Sequence, residues 1–381
     1  MSGEASIKTV KGSFWGVAAF YFLIAFEFFY MASPFAIYFY SVYRPVLNLF
    51  NKYQVLSGLV AYFMPHFSKT SSPFINSHNI VGAVLAILGF LWFCIGACQV
   101  YYHKLARKGA VTGGVYKYIR HPQYAAFIVC SFGLLILWPR YIVLVMFITM
   151  LFAYYLLARV EEKECEVKFG QSYIDYKNKT GMFLPVRLAL PSKLGLPVKS
   201  KGKRILYILS AYVLTLMAGL GIAAGINNLT INSLYISYSK NEAFLSVSKI
   251  EENKLEDIKH IVAVDNDVKS RLINYGISDK DKFLNYVVPI VWNVPEIPMN
   301  TVPGVAPHNS PSDFDRDKYK IIFTKVEVRG NSDVEGTQLI TNGIRRIPIV
   351  EIWVDTKQSK VTKIMDIPEK VMYENIPVAV Y

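Results

Sequence analysis

The first 225 residues hold only seven acidic side chains: Glu4, Glu27, Glu161, Glu162, Glu164, Glu166 and Asp175, with none between positions 28 and 160. Four of the seven arrive within the six positions 161–166, and a cationic pair, Arg120-His121, stands upstream. Between pair and cluster lies an apolar stretch, 123–158, broken at Trp138-Pro139-Arg140. Proline cannot continue a helix, so the stretch predicts a helical hairpin with its tight turn at Pro139. Such a hairpin returns both of its open ends to one membrane face, where Arg120 and His121 would meet the acidic cluster. Arginine offers a planar fork of donors suited to a carboxylate. Histidine and glutamate can exchange protons or pair with a cation. A juxtamembrane salt-bridge network and a site for a bound zwitterion both fit this set of groups.

The elements that must position these residues belong to a membrane. Of the 381 residues 53% are hydrophobic and only 18% charged, less charge than a soluble globular chain carries. The net charge of +13 is uneven: residues 1–225 carry 22 Lys+Arg against seven acids, and residues 226–381 carry 19 against 21. The positive excess thus lies between hydrophobic segments, where cytoplasmic loops and anionic headgroups select it. It accompanies no recognition helix or RNA-binding motif, so nucleic acid is not an expected partner.

A span needs about 20 apolar residues. The first candidate runs from Phe14 to about Tyr43, interrupted at Pro34 and with Glu27 in its middle; it is too long for a cleaved leader and is expected to be retained. Residues 54–66 are too short to cross and suit a re-entrant or interfacial segment, whereas Ile80–Tyr101 is a clear span. The hairpin adds two helices, and about Ile205 to Ile226 is the last span. The expected fold is therefore an α-helical polytopic membrane protein of about five transmembrane helices, residues 1–226. A mostly-β extramembrane domain follows at 227–381. In that domain 319–328 and 347–354 have strand-like patterns, 251–260 suits a short helix, and five prolines between Asn293 and Asp317 mark an extended loop.

Loops 102–122 and 159–204 contain 16 of the 22 Lys+Arg of the membrane half. The positive-inside rule places both in the cytoplasm, and the C-terminal domain on the other side. A bacterial inner membrane or an endoplasmic reticulum suits such a chain. The four cysteines, Cys94, Cys98, Cys130 and Cys165, all lie in the membrane half, so no disulfide staples the exterior domain. Cys94 and Cys98 share one helix face and suit packing. The six histidines show no metal-ligand spacing, so no metal is expected.

Two blocks resemble a known family. Val111-Thr112-Gly113-Gly114-Val115-Tyr116 followed by Arg120-His121-Pro122-Gln123-Tyr124 is similar to the first signature of isoprenylcysteine carboxyl methyltransferases and their phospholipid methyltransferase-like relatives. Glu161-Glu162, Phe169-Gly170, Tyr173, Tyr176 and Leu184-Pro185 resemble the second, with Cys165 where the family usually has leucine. The likeness covers about residues 80–187, with the blocks at 111–124 and 161–185. It implies an S-adenosylmethionine-dependent membrane methyltransferase acting on a membrane lipid or other hydrophobic acceptor. It implies catalytic roles for Arg120, His121, Glu161 and Glu162, and a cofactor site that adds Gly114, Tyr116, Pro122 and Tyr124. Arg120 would meet a carboxylate, the glutamates the ammonium, and tyrosines the sulfonium through cation–π contact. Pro122 is better placed to start the outgoing helix, and Gly114 to permit a tight turn. Glu164, Glu166 and Asp175 suit a solvated face. The competing class is a catalytically silent methyltransferase-like anchor or complex subunit, whose exterior domain, 227–381, docks a protein partner.

Topology is the direct prediction of the charge distribution. Protease added to spheroplasts should remove residues beyond 226 and leave 102–122 and 159–204 intact; cleavage of those loops with protection of the tail would invert the orientation.

Overall fold

The computed structural model describes residues 22, 25–26, 28–39, 41–106, 108, 110–185, 200–278, 280–301, 313–328, 334–369 and 377–381. Glu27, the start of the first apolar run, and the centre of the proline-rich loop lie outside them. The chain divides into two compact units, each assembled from several segments.

The first unit comprises Met1–Val42, Gly82–Leu135 and Val143–Leu216. Its helices are α1 (Phe28–Phe39), α5 (His78–Leu105), α6 (Pro122–Leu137), α7 (Tyr141–Phe169), α8 (Gln171–Lys179) and α9 (Lys201–Ser233), some of which run on into the second unit. Among the described residues three helices are long and apolar enough to cross a membrane, Pro73–Leu105, Tyr141–Phe169 and Gly202–Ser233. α1 and α6 are shorter apolar helices. The chain has a helical membrane part with a sheet-forming region after it.

Hydrocarbon cannot satisfy backbone polar groups, so each break in a helical ladder needs a local remedy. Pro34 does not interrupt α1, contrary to the sequence expectation. It removes the N–H that would serve the Tyr30 carbonyl, and the Ser33 hydroxyl donates to that oxygen instead at 2.9 Å. α5 and α6 approach through glycine. A Cβ on Gly89 would strike the Cys130 backbone, and one on Gly133 the backbone of Gly82 and Ala86. Phe127 of α6 then meets the Phe93 ring of α5 in a tilted contact at 4.2 Å and stacks on Phe35 of α1 at 4.7 Å.

The second unit comprises Tyr43–Val81, Ile136–Ile142 and Met217–Tyr381. A six-stranded sheet runs in sequence order: β1 (Tyr235–Tyr238), β2 (Glu242–Ser246), β3 (Phe283–Pro289), β4 (Lys318–Val328), β5 (Gly343–Asp355) and β6 (Lys360–Asp366). All neighbours are antiparallel except β2–β3. That parallel pair requires a crossover, supplied by α10 (Glu252–Val264) and α11 (Asn266–Asn274). These helices bury Leu255, Ile258, Ile261 and Val268 against one sheet face. The opposite face is covered by the end of α9, the Trp292–Met299 segment and Tyr381. β3 is buried along its whole length, hence a sequence that is apolar apart from Asn285, while the edge strand β6 exposes Lys360 and Lys363.

Two short helices, α2 (Arg44–Lys52) and α3 (Gln54–Val60), lead into irregular chain whose backbone pairs with distant segments of the same unit. Phe63 N–H donates to Pro139 O at 2.9 Å, His66 N–H to Tyr381 O at 2.8 Å, and Lys69 N–H to Val247 O at 3.0 Å. The buried Arg140, at the hairpin turn, donates to Val60 O at 2.9 Å and Pro377 O at 2.7 Å and lies over the Tyr62 ring. Arg346 of β5 donates to Ala379 O at 2.6 Å and Val378 O at 2.7 Å. The peptide 377–381 is therefore clasped between two guanidinium groups.

Deleting residues 377–381 should leave both arginines short of charge-assisted bonds, each worth about 1.5–3 kcal/mol. Thermal unfolding of the detergent-solubilised chain should show a midpoint lowered by several degrees, and Arg346→Met should reproduce part of the loss.

Candidate active site

Arg120 and His121 end the loop between α5 and α6, where a single-turn helix, Gly114–Lys117, reverses the chain. Gly114 has φ +60°, a left-handed conformation that glycine adopts without strain, and a Cβ there would overlap the Gln99 side chain of α5. Gln99 Oε1 in turn accepts from Val115 N–H at 3.3 Å. A parallel bridge, Ile119 to Gly181, ties this loop to the segment after α8. Arg120 N–H donates to Gly181 O at 2.9 Å, and His121 N–H to Met182 O at 3.1 Å. The turn from α7 into α8 is made at Gly170, also at φ +60°.

These supports bring the two charged groups together. Arg120 Nε donates to Glu162 Oε1 at 2.7 Å, with side chains only 9% and 1% exposed. Arg120 Nη1 donates to Lys177 O at 2.9 Å and also to Thr180 O. Lys177 Nζ sits 2.8 Å from Glu162 Oε2 and 2.6 Å from Glu166 Oε1. His121 lies between both signature carboxylates, with Nδ1 3.4 Å from Glu161 and Nε2 3.5 Å from Glu162. Tyr124 stacks on the His121 ring, donates its hydroxyl to Glu161, and stacks on Tyr154 at 4.6 Å. Tyr116 is buried, and its carbonyl accepts from Tyr176 OH at 2.6 Å. Pro122 is buried as the first residue of α6.

The arrangement differs in three ways from the one the residues alone suggested. Arg120 does not hold its whole fork ready for a ligand, because Nε and Nη1 are committed to Glu162 and to carbonyls. Glu166 is not simply solvated but pairs with Lys177, whereas Glu164 and Asp175 are exposed. Tyr30 of α1, which no motif marks, feels the charges of Glu161 and Glu164. Lys177 was likewise hidden, counted among the basic residues of a cytoplasmic loop. Among the described residues no group of three or more His, Cys, Asp or Glu side chains is arranged to hold a metal ion.

The electrostatics follow from burial and pairing. Burial by itself would lower the His121 pKa, but hydrogen bonds and proximity to Glu161 and Glu162 outweigh it, and the imidazole titrates above its ordinary value. Partial burial would lower the Lys177 ammonium; Glu162 and Glu166 instead raise it. The Tyr176 phenol is pushed up to about 12, chiefly by burial.

Comparison with known proteins gives the same neighbourhood an ancestry. Residues 78–172 match the phospholipid methyltransferase family. Over 76 residues the chain is 40% identical to the protein-S-isoprenylcysteine O-methyltransferase of Saccharomyces cerevisiae, across 20% of this chain and 32% of that protein. The chain thus spans about a third of the length of the curated relative it matches. No solved structure matches it. The family segment contains Arg120, His121, Tyr124, Glu161 and Glu162, while Lys177 and Thr180 lie beyond it.

A raised His121 pKa has a signed consequence. The imidazolium–carboxylate contacts are complete below the ordinary histidine value of 6.5 and are lost as pH rises through the higher folded value. Thermal midpoints measured from pH 6 to 9 should therefore fall with rising pH in the wild type, and His121→Asn should flatten that dependence.

Proposed function

We propose that this chain is an S-adenosylmethionine-dependent membrane methyltransferase acting on an acceptor borne on a lipid-like or other small hydrophobic molecule. One observation carries the reading: the two signature blocks converge on a buried, ion-paired cluster in which Glu161 keeps a side chain 34% exposed. The donor set suits the cofactor's groups. Glu161 would take the ammonium, and the aromatic rings of Tyr30, Tyr116 and Tyr124 around it would face the sulfonium. The cofactor supplies, when bound, a methyl carbon already activated for in-line displacement.

The chain's own residues then align, exclude water and manage protons. Glu161 and Glu162 favour His121 as the imidazolium, and in that form it donates. Arg120 fixes the turn between the blocks. Glu161 is the remaining group able to accept a proton, which only an acceptor such as an amine or neutral thiol would need to lose.

An apolar groove supports the hydrophobic acceptor. It encloses about 360 Å³ between α1 and α7, with Ser33, Pro34 and Ile37 on one wall and Met146, Met150 and Leu157 on the other. Val160 ends it, next to Glu161. In this reading loops 102–122 and 159–204 are cytoplasmic, with residues 227–381 on the opposite side as a docking surface for a protein partner.

Calorimetry on the detergent-purified full chain should show S-adenosylmethionine binding. Glu161→Gln should weaken it about ten- to a hundred-fold, as expected for loss of a charge-assisted contact, while the exposed Glu164→Gln should leave it unchanged. A wild type that does not bind would favour a silent anchor.

A further inference from the structure

Among the described residues Glu162 is the most enclosed charge of the first unit, with a side chain 1% exposed. Its two oxygens are served from opposite sides. Oε1 accepts from Arg120 Nε at 2.7 Å, and Oε2 faces Lys177 Nζ at 2.8 Å. Lys177 closes the ring with its backbone, since its carbonyl accepts from Arg120 Nη1 at 2.9 Å. Three segments, the loop before α6, the end of α7 and α8, are thus joined through one lysine, whose carbonyl and ammonium face different partners.

The charges make this lysine more than a tie. Glu162 and Glu166 stand four apart on α7, a spacing at which like charges repel. Lys177 bridges them, 2.6 Å from Glu166. With Arg120 and Lys177 both present, Glu162 has a cation close to each oxygen, and His121 Nε2 stands farther off at 3.5 Å. The groups facing His121 are Glu161 and Glu162 of α7, Tyr124 of α6 and the Phe183 ring, with Arg120 and Lys177 against Glu162's oxygens. Among the described residues Glu161 pairs with His121 and the uncharged Tyr124, and it is a third exposed.

We infer that Lys177 is a positioning residue: its ammonium saturates Glu162 and holds it in the ring with Arg120, so that Glu161 alone meets the cationic end of the cofactor. The inference rests on the methyltransferase reading for the identity of the ligand. The division of labour between the two glutamates rests on the ion pairs themselves. It explains why adjacent glutamates of one motif are not interchangeable. They sit about 100° apart around the helix, and only one of them faces a lysine.

The test uses the full chain in detergent with three variants. Lys177→Gln keeps a hydrogen-bond donor and removes the charge, Lys177→Arg keeps the charge, and Lys179→Met alters an exposed lysine of the same helix. Titration of ligand-free protein by NMR of labelled histidine, with the His121 signal assigned through His121→Asn, reads the network without any cofactor. Loss of the Lys177 charge leaves Glu162 freer to stabilise the imidazolium, so Lys177→Gln should move the His121 titration upward, while Lys177→Arg and Lys179→Met leave it in place. S-adenosylmethionine affinity should fall roughly ten-fold in Lys177→Gln and be restored in Lys177→Arg. Weakened binding with an unmoved His121 titration and no rescue by arginine would show a merely structural lysine and overturn the inference, as would an unchanged Lys177→Gln. If the wild type binds no S-adenosylmethionine, the methyltransferase reading fails along with Glu161's part. An upward His121 shift in that same protein would still establish the hold of Lys177 on Glu162.

Discussion

A carboxylate withdrawn from water must be met by charge, and in this protein that carboxylate is Glu162. Its desolvation is tolerable only because Arg120, Lys177 and His121 surround it. The three come from separate stretches of chain, so the ion-pair ring exists only when the loop before α6, the end of α7 and α8 are all in place. The parallel bridge at Ile119–Gly181 and the positive-φ glycines at 114 and 170 put those stretches within reach. Once Glu162 is satisfied, the chemistry left exposed is that of Glu161, with His121 and Tyr124 locked against it.

The helices below this cluster answer a different constraint, the absence of water around backbone groups. Ser33 replaces the donor that Pro34 removes, and the glycines of α5 and α6 let two backbones touch where side chains would hold them apart. The second unit faces the related problem of irregular chain between 61 and 72. It solves the problem with Val247 just after β2, the end of α9, the hairpin turn and the peptide 377–381, each lending backbone partners to that segment. Arg140 shows why the turn of the hairpin is Trp-Pro-Arg. Proline stops α6, and the arginine beside it reaches a carbonyl on each side.

Much of this was legible before any coordinates. The hairpin turn at Pro139 follows from proline's missing donor, and α7 begins at Tyr141 as that argument requires. β4 and β5 were visible because their β-branched and aromatic residues alternate over long runs. β2, only five residues long, gives no period to detect, and the short, mostly apolar run of β3 does not distinguish a buried strand from a buried helix. Tyr30 escaped notice because a tyrosine in an apolar helix looks like packing until the fold brings it within range of the Glu161 charge.

The sequence by itself determined which stretches are apolar, how unevenly charge is spread along the chain, and the residue types at the site. Hydropathy and charge are summed along the chain, and the motif blocks are contiguous, so neither needs a fold to be read. Only the tertiary structure decided which charges meet. Lys177 is indistinguishable from Lys179 in the sequence, since both add one positive charge to a basic loop. They differ because the helix turns one toward Glu162 and the other toward water. The same geometry separates Glu161 from Glu162, neighbours in the chain whose side chains leave the helix in different directions. Ion pairing depends on distance and burial in three dimensions, and a one-dimensional pattern carries neither.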